Sequence, residues 1–267
     1  MAARKPAGSR VAESRASTDA FTAADAFVGQ PLVASGRLGE QVASLTLRQV
    51  AGGAVAPGSF LPAEAELAEV FGVSRSAVRD ALQILASVGV VQVLHGKGTV
   101  VREESDWDVL SPLVMSTLEA VGRGEQIRRD VYEVRRILEC AAAEMAASTA
   151  TTAQRRAIAE KADTLVAEAG NPQTPLRQFL ETDRDFHDLL AQIAGNLALR
   201  QIIRQVHVYV ASSWTEVRLG PAERLEVAFQ HKKISDSIVA GDTASARAAM
   251  ESHINFAQRE QTVHDHE

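Results

Sequence analysis

"PGSFLPAEAELAEVFGVSRSAVRDALQILASVGVVQVLHGKGTVV", residues 57–101, decides the fold of the first half of the chain. The Pro57-Gly58 turn leads into a helix expected to open at Pro62, where proline's missing N–H costs nothing. Gly72 ends that helix, and Ser74 is a natural N-cap for the next, which runs to about Val88 and closes at Gly89. The β-prone runs "VVQVL" and "TVV", separated by "HGKG", spell a hairpin with a glycine-bearing turn. Upstream, "LGEQVASLTLRQVAGG" from Leu38 is helical, with Val42, Leu45 and Val50 on one side, and stops at Gly52-Gly53. Three helices and a two-stranded wing therefore fill residues 38–102.

A short helix, a tight turn and a second helix that is polar and basic in its first two turns match helix-turn-helix geometry. There the N-terminal end of the second helix enters the major groove of DNA. Ser74, Arg75, Ser76 and Arg79 lie at that end. An arginine fork pairs with guanine O6 and N7 or clamps a phosphate, and the helix dipole favours a nearby phosphate. In the wing, His95 and Lys97 flank Gly96, so backbone and cation can approach the minor groove closely. The competing reading is a solvated face, with Arg79 paired to an acid one turn away. Local charge does not separate the two, because residues 36–102 hold six Lys/Arg against five Asp/Glu; the order of parts is far more specific.

On those residues the stretch resembles the winged-helix domain of GntR-family bacterial transcription regulators, whose pattern runs PG, LP-x-E, ELA, FGVSR, VR-x-AL and a glycine-rich wing. The resemblance implies that Arg75 and Arg79 contact bases and phosphate and that the wing tip at His95-Gly96 enters the minor groove. One departure stands out. The position between Glu64 and Glu66, often a DNA-contacting arginine in that family, is Ala65.

Residues 106–267 read as about seven helices, near 107–121, 126–148, 152–169, 174–194, 196–216, 221–240 and 243–263, with breaks at glycine, asparagine and proline. No fixed period repeats, which excludes a solenoid. The expected organisation is a disordered tail over 1–35, a winged helix-turn-helix over 36–102, a linker over 103–108 and an all-α domain over 109–264. The fold class is mainly α.

Within that all-α half, "FLETDRDFHDLLAQIAGN" places Asp183 and His187 four residues apart on a face continued by Leu180, Leu190 and Ala194. His231 falls in a stripe with Val227, Ile234 and Ile238, and His253 lies in line with Ala246, Ala249, Met250 and Ala257. Such inward polar groups are costly to bury unless they satisfy one another or a metal. One carboxylate with three imidazoles suits zinc, with nickel or manganese as the other candidates. The His-Glu-x-x-His pattern of zinc proteases is absent from the sequence.

The D-x-x-F-H, A-G-N and "AMESHI" motifs make this half similar to the FCD effector domain of the FadR subfamily. That resemblance implies Asp183, His187, His231 and His253 as metal ligands and a small carboxylate as effector. The full ligand set argues against fatty acyl-CoA. Arg135, in a stripe with Val131, Leu138, Ala142 and Met145, points inward either to clamp that carboxylate or to pair with Glu139 one turn on. His207 and Trp214 share a face with Ile203 and Val210. Core packing is the reading for His207, and a place in the pocket wall is the candidate role for Trp214. "DWDVLSPLVMSTLEAVG" resembles the start of this domain in regulators that answer to sugar acids such as galactonate or gluconate.

The whole chain is consistent with this. Its 267 residues are 46% apolar, enough for two cores, and its net charge of −6 confines any nucleic-acid binding to a local surface. No apolar run is long enough to span a bilayer and no secretory signal opens the chain, so a cytoplasmic protein without a membrane partner is expected. The lone Cys140 reads as a small core residue. The expected function is a DNA-binding transcription regulator, a homodimeric repressor released from double-stranded operator DNA by a small carboxylate at a metal site. The alternatives are a metal-dependent enzyme carrying a DNA-binding domain and an architectural DNA binder that needs no ligand.

Overall fold

The structure, a computed structural model, describes residues 38–213 and 219–264, with side chains over 38–210 and 219–260. The expected tail over 1–35 and the position of Trp214 lie outside the described residues. The fold is mainly α. The first three helices among the described residues are α1 (Leu38–Ala51), α2 (Glu64–Phe71) and α3 (Arg75–Ser87), followed by the hairpin strands β1 (Val91–Leu94) and β2 (Gly98–Val101). Helix α2 opens at Glu64 with Ala63 as N-cap, two residues later than Pro62, because Glu66 reaches back to the Ala63 N–H at 3.0 Å.

Gly72 supplies the tight turn between α2 and α3. It sits at φ 65°, ψ 34°, a left-handed conformation that a Cβ disfavours, and its N–H closes the end of α2. Ser74 then caps α3, its Oγ accepting from the Ala77 N–H at 3.3 Å. Val78, Leu82 and Leu85 carry the buried face of α3 against α1, where each contributes roughly 1.5–3 kcal/mol by leaving water. In the hairpin Val91 pairs with Val101 and Leu94 with Gly98. The chain over 58–61 lines the outer edge of β2, with Gly58 N–H to Val101 O and Leu61 N–H to Thr99 O both at 2.8 Å.

Seven helices follow among the described residues, as the sequence suggests: α4 (Pro112–Ala120), α5 (Gly124–Thr149), α6 (Thr152–Gly170), α7 (Leu176–Ile193), α8 (Leu197–Ser213), α9 (Pro221–Ala240) and α10 (Thr243–His264). Helix α5 packs on α10, α6 on α9, and α7 on α5, α6 and α8, around one core containing Phe179, Phe186, Leu190 and Met250. Cys140 is buried in that core, and burial pushes its thiol up to about 11, so it stays protonated.

The expected division near residue 103–109 does not follow the packing. Trp107 is only 7% exposed and joins the winged-helix core, with Asp108 N–H bonded to Val88 O at 2.9 Å. Helix α4 starts at Pro112 rather than 107, after a single 3₁₀ turn over Glu104–Asp106. Its Val114 and Leu118 also belong to the winged-helix core, whereas Met115 belongs to the bundle core. Residues 103–120 therefore form a packed junction sharing both cores, not a free linker.

Candidate functional site

The helix-turn-helix places Ser74, Arg75, Ser76 and Arg79 on the exposed start of α3, and all four are open to solvent. Arg79 does have an acidic partner, but on α2: its Nε donates to Glu64 Oε2 at 2.7 Å, with the arginine side chain 64% exposed. An exposed pair of this kind is worth at most about 1 kcal/mol, so it holds the guanidinium without locking it. His95, Gly96 and Lys97 form the exposed hairpin tip, and Gly96 takes a left-handed φ of 71° that brings the backbone round in a tight turn.

In the bundle, three helices converge on one buried centre. Helix α7 brings Asp183 and His187, α9 brings His231 and α10 brings His253; one ligand atom from each lies within 4.8 Å of all the others. His231 Nε2 is 3.2 Å from both His187 Nε2 and Asp183 Oδ1. The remaining ring nitrogens point at fixed acceptors. His231 Nδ1 donates to the Val227 carbonyl at 2.8 Å, His253 Nδ1 lies 3.1 Å from Gln230 Oε1, and His187 Nδ1 lies against Glu139 Oε2. Acceptors at Nδ1 fix the tautomers that leave the Nε2 lone pairs facing inward.

Those inward lone pairs test whether a cation fits. His253 Nε2 is buried with no hydrogen-bond partner, and the Nε2 atoms of His231 and His187 lie 3.2 Å apart. That separation is what two imidazoles on one ion show, given metal–nitrogen distances of about 2.0–2.1 Å. Burial drives His187 down to about 4 against the opposing pull of Glu139, and burial likewise lowers His231 and His253. Neutral imidazoles at ordinary pH are the form that binds metal. The donor set fits a divalent first-row ion.

Beside this centre lies an ionic cluster that sequence reading only half found. Arg135, 2% exposed, donates from Nε to Glu139 Oε1 at 2.6 Å, and its other arm lies 3.3 Å from His187 Nε2. His207 Nε2 meets the same Glu139 oxygen at 3.1 Å. Burial alone would raise the Glu139 carboxyl, but Arg135 together with His187 and His207 holds it well below the usual carboxylate range. Burial would lower Arg135, and Glu139 outweighs it. Glu139, His187 and His207 also lie close enough to share an ion. Each set holds buried atoms without a hydrogen-bond partner, His253 Nε2 in one and His187 Nδ1 and Glu139 Oε2 in the other, but Glu139 already has its counter-charge in Arg135, which favours the Asp183 set.

Arg135 is ion-paired to Glu139, and it also lines a cavity of about 570 Å³ together with Asp183, His207 and His253. Glu139 and His207 were not among the expected site residues. The available signals were their places one turn after Arg135 and on the Ile203/Val210 stripe.

Residues 38–101 match the bacterial regulatory proteins of the gntR family, and residues 130–256 match the FCD domain. The transcriptional regulator LutR of Bacillus subtilis is 30% identical over 209 residues, covering 76% of this chain and 91% of LutR. The chain belongs to the GntR family. Escherichia coli supplies two further relatives. Its putative L-lactate dehydrogenase operon regulatory protein is 29% identical over 224 residues, 82% of this chain and 84% of that protein. Its galactonate operon transcriptional repressor is 26% identical over 203 residues, 76% of this chain and 87% of the repressor. This GntR/FCD protein is a transcription regulator with a DNA-binding domain and an effector domain, and the enzyme alternative falls. No described helix is long and apolar enough to cross a membrane.

Proposed function

We propose that the chain is a homodimeric repressor that leaves its operator when a small carboxylate, a hydroxy acid or sugar acid, binds in the bundle cavity at a divalent metal. The observation that carries this reading is the convergence of three buried imidazole nitrogens and Asp183 on one point at the wall of the cavity Arg135 lines. Asp183, His187, His231 and His253 would hold the ion, with zinc the first candidate. Once bound, it supplies Lewis-acid attraction for a carboxylate oxygen.

The surrounding charges support the sign of the ligand. Asp183 and Glu139 against Arg135 leave one net negative formal charge, which a divalent ion converts to one net positive charge. Arg135, which lines the cavity, would turn a guanidinium N–H toward a second carboxylate oxygen. Galactonate in the name of one relative and L-lactate in another point to the same chemical class.

At the other end, Ser74, Arg75, Ser76 and Arg79 enter the major groove and His95, Gly96 and Lys97 the minor groove. One recognition helix covers a half-site, so a two-fold pair is needed for a palindromic operator. The coupling element is the shared junction: Trp107, Val114 and Leu118 sit in the winged-helix core, Met115 in the bundle, and Arg123 ties Glu104 at 2.5 Å and Ala51 O at 3.2 Å. An effector that prefers one arrangement of this junction weakens DNA binding by the factor by which DNA weakens effector binding.

A thermal-shift screen of organic acids on metal-loaded protein tests the proposal, because a ligand of the folded state raises apparent stability. Hydroxy or sugar acids are expected to raise Tm and amines to leave it unchanged. A screen in which no carboxylate shifts Tm would refute it.

A further inference from the structure

The walls of the cavity are sorted by helical turn. On α7 the ligand Asp183 is followed toward the N-terminus by Leu180 and Leu176; on α9, Val227 lies one turn N-terminal to His231. On α8, Val210 lies one turn C-terminal to His207, and on α10, Ala257 lies one turn C-terminal to His253. Helices α7 and α8 are joined by 194–196, and α9 and α10 by 241–242, so the partners within each pair run in opposite directions. N-terminal on one helix is then the same direction as C-terminal on its partner. Within each pair the two steps from polar to apolar point the same way, and the apolar residues of all four helices line the one cavity, with Phe179 and Leu219 completing its wall.

We propose that the effector carries an apolar arm of several carbons beyond its carboxylate, lodged in this apolar layer next to the metal-ligating layer. The inference rests on the carboxylate reading above and narrows it. From Asp183 to Leu176 the helix rises about 10 Å, at ~1.5 Å per residue. The cavity of about 570 Å³ is room for roughly nineteen waters at ~30 Å³ each, far more than a three-carbon acid fills. A sugar acid of similar length would place its hydroxyls against Leu176, Leu180, Val210 and Val227, which offer them no hydrogen bond. The other charged groups on the wall lie on the solvent side of α7: Arg177 pairs with Glu181 at 2.9 Å and is 89% exposed, and Arg184 is exposed. Arg177 and Glu181 run beside Leu176 and Leu180 on the exposed side of α7, where their charges meet each other and solvent.

Calorimetric titration of metal-loaded full-length protein with lactate, 2-hydroxybutyrate, 2-hydroxyhexanoate, 3-phenyllactate and galactonate tests this. Kd is expected to fall about fourfold per added methylene, so that 2-hydroxyhexanoate binds about sixty times more tightly than lactate and more tightly than galactonate. A Kd that is flat or rises with chain length, or galactonate as the tightest ligand, overturns the apolar arm and leaves the carboxylate reading standing. Failure of every acid to bind overturns both. Leu180→Gln, at a half-buried position, is expected to flatten the rise with chain length, with metal content measured to confirm the fold. An unchanged slope in that variant overturns the assignment of the layer.

Discussion

Replacing Glu139 by alanine isolates the ionic cluster that joins the metal centre to the cavity. The carboxylate is 1% exposed and is met by Arg135 Nε at 2.6 Å, His207 Nε2 at 3.1 Å and His187 Nδ1. In Glu139→Ala the Arg135 guanidinium stays buried without its counter-charge. Breaking a buried pair on one side costs about 3–5 kcal/mol, a large share of a domain stability of about 5–15 kcal/mol. The double variant Arg135→Met/Glu139→Leu removes both charges and fills similar volume, so it is expected to recover most of that loss. Urea unfolding of metal-free protein measures both, metal-free so that differences in metal binding do not enter. Loss of the acceptor for His187 Nδ1 should also weaken metal binding about 10–100-fold in both variants. Glu139→Ala within about 1 kcal/mol of the parent, or a double variant no more stable than the single, would refute the reading of a buried pair whose charges depend on each other.

Arg79→Ala should weaken specific operator binding by about 1–3 kcal/mol in an anisotropy titration if the guanidinium makes a bidentate base contact; unchanged binding would show that α3 is not the reader. His187→Ala should lower metal content by elemental analysis while the operator affinity of protein without effector is retained; full metal content would refute the ligand set. Metal-free protein should lose stability in acid. His187 titrates near 4 in the folded state against 6.5 ordinarily, so the unfolded chain takes up the proton first. That stability is fully present above about pH 6.5 and falls as pH drops toward 4, by about 3 kcal/mol for His187 alone. The lowered His231 and His253 add in the same direction. Equal urea midpoints at pH 7.5 and 5 would refute the burial of these neutral imidazoles.

The parts legible in the sequence are those fixed by local chemistry. Gly72 announces a turn by lacking a side chain and Ser74 a cap by its hydroxyl, and the inward Asp183, His187, His231 and His253 are visible because helical spacing alone sets each among apolar neighbours. What escaped depends on contacts between distant segments. Glu139 reads as an intrahelical partner of Arg135, and only the approach of α7 and α8 makes it the hub for His187 and His207. The Arg79–Glu64 pair spans fifteen residues, where a one-turn search does not look. "REESDWD" is polar enough to read as a linker, and nothing local says that Trp107 turns into the winged-helix core.

The most direct test of the central claim is an operator titration followed by anisotropy with metal-loaded protein, with and without a hydroxy acid, and again after the metal has been stripped by chelation. The account predicts that the acid weakens operator binding at least fivefold in the loaded protein, the lower end of ordinary allosteric coupling, and has no effect in the stripped protein. Operator affinity that ignores the acid in the loaded protein, or responds equally with and without metal, would contradict it.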